Sequence, residues 1–245
     1  MSLAEETAEE LGVAAVSVSN SNHFGAASSY SIPTAKKGFL AFSFSNSDAL
    51  VSPAHGIGRK LGTNPICFAA PLLGDELFCL DMATSQVSFS FIKHCISRQI
   101  PLGRGWAMDE RGDDASVSSE FASLQPLGGY KGQGLAMMVT ILSAILSGMP
   151  IDDQLSHLYE PPYDSGRKIG HFFMVIKIEA FIDLKSFKQQ CAHFCLQMRG
   201  DNEDVSWPGK KEAENEIINR EKGIIFGEPE LTYLNKMAKH YDLLL

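Results

Sequence analysis

The strongest constraint on the fold is the alternation within the first 45 residues. Ala4-Glu5-Glu6-Thr7-Ala8-Glu9-Glu10-Leu11 reads as a short helix, and Gly12 stands where a left-handed residue closes one. Residues 13–18 form a β-branched, small-residue run, the pattern of a buried strand. The polar cluster Ser19-Asn20-Ser21-Asn22-His23-Phe24-Gly25 ends that strand and leads into a second helix over about 26–37. A further strand is predicted over 38–45, carrying Phe39, Leu40, Phe42 and Phe44, with the polar loop Asn46-Ser47-Asp48 behind it.

The rhythm then loosens. Residues 56–71 read as turn-rich, 76–82 as a strand, 87–96 as helix or strand, and 103–119 as a polar, acidic loop. A glycine-rich turn and an apolar helix occupy 126–148. Pro161-Pro162 and Gly166 mark an excursion before a clear strand at 172–178. An amphipathic helix follows over 184–198, with Phe187, Cys191, Phe194, Cys195 and Met198 at helical spacing. Beyond the turn Trp207-Pro208-Gly209 come a charged helix at 212–220 and a last one at 230–245, with Leu231, Leu234, Ala238 and Tyr241 on one face. The fold class is α/β (α+β mixed), a mixed β-sheet with flanking helices and a C-terminal helical segment.

Composition narrows the partners. Hydrophobic residues at 44% and charged residues at 20% are ordinary globular usage, which excludes disorder as the main state of these 245 residues. Acidic residues outnumber basic ones 29 to 21, so there is no global basic footprint for nucleic acid. Five cysteines, an odd number embedded in apolar runs such as Ile66-Cys67-Phe68, fit reduced thiols in a cytoplasm. Cys191, His193 and Cys195 lack a second Cys/His pair, so no metal site is expected. The acidic N-terminus is not a secretory signal. The apolar stretch 135–149 is shorter than the ~20 residues of a membrane span and reads as a buried core helix.

Three segments bear on chemistry. Gly56-Ile57-Gly58-Arg59-Lys60-Leu61-Gly62 looks like a dinucleotide fingerprint, but neither a strand before it nor a helix after it is predicted, so it reads as a loop with several positive-φ positions. Gly128-Gly129-Tyr130-Lys131-Gly132-Gln133-Gly134 opens directly into a helix. Glycines that bare backbone N–H groups, a helix N-terminus and the Lys131 charge make an anion site; a tight turn with an exposed lysine is the other reading. His23, flanked by Asn20, Asn22 and Gly25 at a predicted strand end, is placed for proton exchange near neutral pH, or merely caps the following helix.

Five blocks, in order, carry a resemblance: Val18-Ser19-Asn20-Ser21-Asn22-His23-Phe24-Gly25; Leu61-Gly62-Thr63-Asn64-Pro65-Ile66 with Pro71; Asp81-Met82-Ala83-Thr84-Ser85; Pro126-Leu127-Gly128-Gly129-Tyr130-Lys131-Gly132 with Leu146-Ser147-Gly148; and Gly170-His171-Phe172-Phe173. Together they closely resemble the malate/L-lactate dehydrogenase family of the second, non-Rossmann type, whose relatives include ureidoglycolate, sulfolactate and diketogulonate oxidoreductases and cyclic-imine reductases. The resemblance implies a homodimer, an NAD(P)-binding domain of non-Rossmann topology, and hydride transfer between NAD or NADP and C2 of a 2-hydroxy or 2-oxo acid. It implies His23 as the proton-exchanging catalytic residue, and Ser47, Asp81, Met82, Ala83, Lys131, Pro208 and Gly209 as cofactor contacts.

On this reading residues 1–205 are the NAD(P)-binding and catalytic domain, with a helical excursion at 134–165, and 206–245 the C-terminal helical segment. Lys210 stands where the family commonly has an acidic residue, and Phe89-Ser90-Phe91 where a small and basic stretch is usual. The family's leading helical segment, with its His-Gly and arginine motif, finds no counterpart here, so poor activity is expected. The rival readings are a cyclic imino-acid reductase and a non-catalytic cofactor-binding remnant. His23 and Lys131 are expected to face one another across a single cleft.

Overall fold

The computed structural model describes residues 1–243 other than Tyr159, Pro162 and Glu203; Pro162 of the expected turn and Leu244 and Leu245 of the expected last helix lie outside the described residues. Two compact units divide the chain, Met1–Gly209 and Lys210–Leu245.

The first unit begins with helix α1 (Ser2–Leu11), strand β1 (Val13–Ser21), helix α2 (Ser28–Lys36) and strand β2 (Phe39–Ser45), the alternation expected from the sequence. Gly12 closes α1 at φ +84° with its N–H on the Ala8 carbonyl. Strands β3 (Ile66–Pro71) and β4 (Leu77–Met82) follow, then helix α3 (Phe89–Ser97), the short pair β5 (Ala107–Met108) and β6 (Ser123–Leu124), helix α4 (Tyr130–Thr140), strand β7 (Ile169–Lys177) and helix α5 (Leu184–Arg199). The main sheet runs β1-β7-β2-β3-β4.

Every ladder of that sheet is antiparallel, where a mixed sheet was expected. The β1-α2-β2 crossover does make β1 and β2 run the same way, but β7, more than a hundred residues later, slots between them and pairs with both. The strand itself was predicted, but its place between β1 and β2 has no local signature. The stretch expected to be turn-rich also contains β3, a central strand, because Pro65 and Pro71 punctuate both its ends. The ambiguous 87–96 is helix α3, whose start is set by Ser88 accepting the Phe91 N–H at 3.2 Å.

Helices cover both faces. Ala4 and Ala8, one turn apart, lay α1 on Ala14, Phe39 and Val175, and Ala27 and Ala35 lay α2 on Cys67, Ala69 and Cys79. Small residues on both sides let backbone approach backbone. On the opposite face Val139 of α4 packs with Phe44 and Phe172. Here Gly170 is required: a Cβ at this position would lie 1.9 Å from the Ser143 carbonyl oxygen, in the single π-turn Ile141–Ile145 that continues α4. The 135–149 segment is therefore a half-buried helix rather than the buried one expected. Ala136, Val139 and Ala144 face the sheet while Met137, Ile141, Ile145 and Leu146 stay exposed, because the sheet lies on one side only.

On α5 the buried side is Ala192 and Cys195 with Cys191 at its edge; Phe194 and Met198, expected on that face, are exposed. The second unit holds helices α6 (Lys210–Lys222) and α7 (Glu228–His240). Glu216 and Arg220 pair at i,i+4 on α6 at 2.7 Å, and Ala238 is buried in α7.

Candidate active site at one end of the sheet

Strand register lines up five strand ends. Ser21, last of β1, faces Ile169, first of β7; Ser45, last of β2, faces His171. Phe44 faces Ile66, first of β3, and Ile66 faces Met82, last of β4. Neighbouring strands lie about 4.8 Å apart, so this row spans about 19 Å from β1 to β4. The loops carrying His23 and Ser47 leave the sheet along it, and Asp81 to Ala83 lie where β4 ends in the same row.

His23 is exposed, two residues beyond β1. Its backbone N–H donates to Asn22 Oδ1 at 2.8 Å and its Nδ1 accepts the Gly25 N–H at 3.1 Å. With Nδ1 accepting, the neutral ring carries its hydrogen on Nε2. Behind the loop Phe24 stacks on Tyr30 at 5.0 Å and on His171 at 4.5 Å, and the Tyr30 hydroxyl donates to the Phe24 carbonyl at 3.0 Å.

His171 is only 3% exposed. Its Nδ1 meets Ser45 Oγ and its Nε2 meets Ser21 Oγ, both at 2.9 Å. The Ser45 hydroxyl donates to the Asn46 carbonyl, so it accepts from Nδ1–H, which leaves Nε2 to accept from Ser21. Burial pushes the His171 pKa down to about 4; the Asn22 backbone opposes that shift and the neighbouring His23 charge adds to it. His171 is thus a neutral pin between the ends of β1 and β2. In the sequence it stood just before the predicted strand and within the resemblance block Gly170-His171-Phe172-Phe173, with no role attached to it.

At the middle of the row, two residues beyond β2, Ser47 is held by the segment leading into β3. Its N–H donates to Asn64 Oδ1 and its Oγ accepts the Thr63 N–H, both at 3.0 Å. Gly62 lies so close that a Cβ would come within 2.4 Å of the Ser47 carbonyl oxygen. Asp81 is exposed, and its Oδ2 accepts the Ser28 N–H at 2.8 Å, serving an α2 N-terminus that has no side-chain cap of its own. Met82 and Ala83 are half-buried beside it. Pro208 and Gly209 dock on the same strand. The Pro208 carbonyl accepts the Cys79 N–H at 2.9 Å, and Gly209, at φ +89°, leaves no room for a Cβ against Cys79.

Lys131 reaches this end through Thr84. Thr84 donates its N–H to the Thr63 carbonyl at 2.8 Å, and its own carbonyl accepts the Leu127 N–H at 2.9 Å. The turn that follows is tight enough that a Cβ on Gly132 would lie 2.4 Å from the Leu127 backbone. Gly129, at φ +68°, starts α4 and leaves Lys131 exposed in its first turn. The structure therefore gathers Ser47, Asp81, Met82, Ala83, Lys131, Pro208 and Gly209 around β3 and β4, with His23 at the β1 end.

This geometry has counterparts. The profile of the malate/L-lactate dehydrogenase family matches residues 1–235. The chain belongs to that family. Among its relatives, the malate dehydrogenase of Pyrococcus horikoshii is 36% identical over 241 residues, covering 94% of this chain and 64% of the relative. Its solved structure superposes with a TM-score of 0.85 at 33% identity, over 99% of this chain and 69% of that one. The NAD(+) ureidoglycolate dehydrogenase of Escherichia coli is 35% identical over 209 residues, 85% of this chain and 59% of the relative. The structure of delta1-piperideine-2-carboxylate reductase from Pseudomonas syringae matches with a TM-score of 0.87 at 27% identity, over 97% of this chain and 71% of that one. The chain spans about three-fifths of the length of the malate and ureidoglycolate dehydrogenases.

Residues 56–62 are a loop, as expected, but Gly58 alone among them has positive φ where several such positions were expected; His55, just before, has φ +62°. Among the described residues no group of three or more His, Cys, Asp or Glu is placed to hold a metal, and no helix is long and apolar enough to cross a membrane.

Proposed function

We propose that the chain is an NAD(P)-dependent oxidoreductase moving a hydride between the nicotinamide and C2 of a 2-hydroxy or 2-oxo acid. The observation that carries this reading is the row of strand ends, with an exposed histidine at one end, a serine at its middle, and a carboxylate and a lysine-bearing glycine turn towards the other end. The donor set fits a dinucleotide. Lys131 in the first turn of α4, behind Gly128 and Gly129, offers backbone N–H groups and a full charge to a diphosphate. Asp81, with Oδ2 committed to Ser28, has a second oxygen for a ribose hydroxyl. Ser47, Met82, Ala83, Pro208 and Gly209 supply the remaining wall.

When bound, the pyridine ring supplies or takes up the hydride. His23 handles the proton. In the oxidative direction a neutral imidazole takes it from the substrate hydroxyl, and in the reductive direction the imidazolium returns it to the carbonyl oxygen. With Nδ1 held by Gly25 the resting ring presents Nε2–H as a donor to a carbonyl oxygen; to act as base it gives up the Gly25 contact and carries its hydrogen on Nδ1, which frees Nε2 for the hydroxyl proton. The Phe24 and His171 stack behind the loop limits how far the imidazole can wander.

A second reading, reduction of cyclic imino acids, is supported by the likeness to the piperideine-carboxylate reductase. The same proposal includes a homodimer and a cytoplasmic location, the latter supported by five cysteines that form no disulfide. NADH and NADPH titrations followed by fluorescence, then assays over 2-oxo acids and cyclic imino acids, test the function. Binding of either nicotinamide is expected, and binding of neither overturns the reading. Light scattering tests the dimer, and a strictly monomeric species at micromolar concentration sinks that part.

A further inference from the structure

Asp152 is 1% exposed, and none of the chemistry above uses it. It opens a single 3-10 turn, Asp152–Gln154, behind the π-turn. Its Oδ2 accepts the Gly62 N–H at 2.8 Å and Asn64 Nδ2 at 2.7 Å, with Thr140 Oγ1 at 3.0 Å. Its Oδ1 faces Asn46 Nδ2 at 3.4 Å, and its carbonyl accepts the Ala49 N–H at 3.1 Å. The lysine of the facing loop, Lys60, pairs with Asp153 instead. Burial holds the Asp152 carboxyl above the usual carboxylate range, while the donors from Gly62, Asn64, Thr140 and Asn46 pull it back.

A buried carboxylate served only by neutral donors is a costly way to close a loop. What three of the four donors to its carboxylate share is Ser47. Asn46 precedes Ser47 in the chain. Asn64 gives its Nδ2 to Asp152 and takes the Ser47 N–H on its Oδ1, so one amide links the two. Gly62, the third partner, touches the Ser47 carbonyl so closely that a small shift of either moves the other.

We propose that Asp152 is a positioning residue for the cofactor side of the site, fixing Gly62 and Asn64 and, through Asn64, setting Ser47. This rests on the reading of Ser47 as a cofactor contact. Asp152→Asn keeps an oxygen for Gly62 and Asn64 and places its amide near Asn46 Nδ2, which has the Pro150 carbonyl as another acceptor at 3.3 Å. Asp152→Ala leaves Gly62 and Asn64 without that acceptor.

The test is the dissociation constant for NADH and NADPH, read per folded molecule beside the melting temperature. Asp152→Ala is expected to weaken binding about tenfold while kcat at saturating cofactor stays within about threefold, and Asp152→Asn to restore most of the affinity. A lowered melting temperature with unchanged affinity makes Asp152 a loop staple only and overturns the proposal. Where Asp152→Ala fails to fold, Asn64→Ala cuts the same link, and unchanged affinity in that variant overturns it equally. A wild-type chain that binds neither nicotinamide removes the cofactor reading itself, and the positioning role with it.

Discussion

The rings of Phe24 and His171 lie 4.5 Å apart with their planes within 6° of parallel. That stack joins the loop carrying His23 to a strand that enters the sheet more than a hundred residues later. Because His171 is wedged between the Ser21 and Ser45 hydroxyls, protonating it forces an added hydrogen into a buried site where one ring nitrogen already accepts.

Stability should therefore respond to acid. The folded chain takes up the His171 proton near pH 4, whereas an unfolded histidine takes it up near 6.5. Between those values the unfolded state binds more protons, so stability falls as pH drops from 6.5 towards 4 and levels off below, by at most about 1.4 kcal/mol per pH unit. Urea melts across this window measure it. His171→Gln should flatten the slope, and an equally steep slope in that variant would assign the effect to other groups.

Replacing His23 separates chemistry from binding. His23→Ala is expected to lower turnover by about 10² to 10⁴ while cofactor affinity stays within a few-fold. The ring stands at the β1 end of the row, away from the residues grouped on β3 and β4. Retention of more than about a tenth of wild-type kcat would remove His23 from the mechanism.

Lys131→Ala should do the converse. Loss of one charge-assisted contact to a phosphate costs about 1.5–3 kcal/mol of cofactor binding. Fluorescence titration reads it directly, and an unchanged dissociation constant would leave Lys131 an exposed turn residue. His23 follows β1, whereas Lys131 stands in the first turn of α4, tied through Leu127 to Thr84 just beyond β4.

Legibility followed sequence distance. Gly12, β1 and the His23 loop announce themselves because their reasons lie within a few residues, in a cap, a β-branched run and a polar break. The place of Lys131 at a helix start was readable for the same reason, since its glycines and its helix are contiguous with it. The place of β7 between β1 and β2, the pinning of His171 by Ser21 and Ser45, and the dependence of Ser47 on Asn64 all rest on partners far along the chain, where no periodicity points. On α5, Phe194 and Met198 satisfy helical spacing yet stay exposed, because the spacing names a face without saying how wide a surface will meet it.

The tightest of these distant contacts gives the last prediction. Gly170 follows the first residue of β7 and lies directly under the π-turn of α4, with its N–H donating to Asn46 Oδ1 at 3.0 Å. A methyl group there would sit 1.9 Å from the Ser143 carbonyl oxygen and 2.6 Å from Ser147 Oγ, so the turn must lift. Lifting it draws α4 away from Phe44 and Phe172 and strains the Gly170–Asn46 bond beside Ser47. Gly170→Ala is accordingly expected to destabilise the chain by about 1–3 kcal/mol, as overpacking of a close contact does. Gly134→Ala, where a Cβ meets nothing within 4 Å, is the matched control on exposed helix and should stabilise slightly or not at all. Equal melting temperatures for the two variants would show that the π-turn yields freely and that Gly170 is not what seats α4 on the sheet.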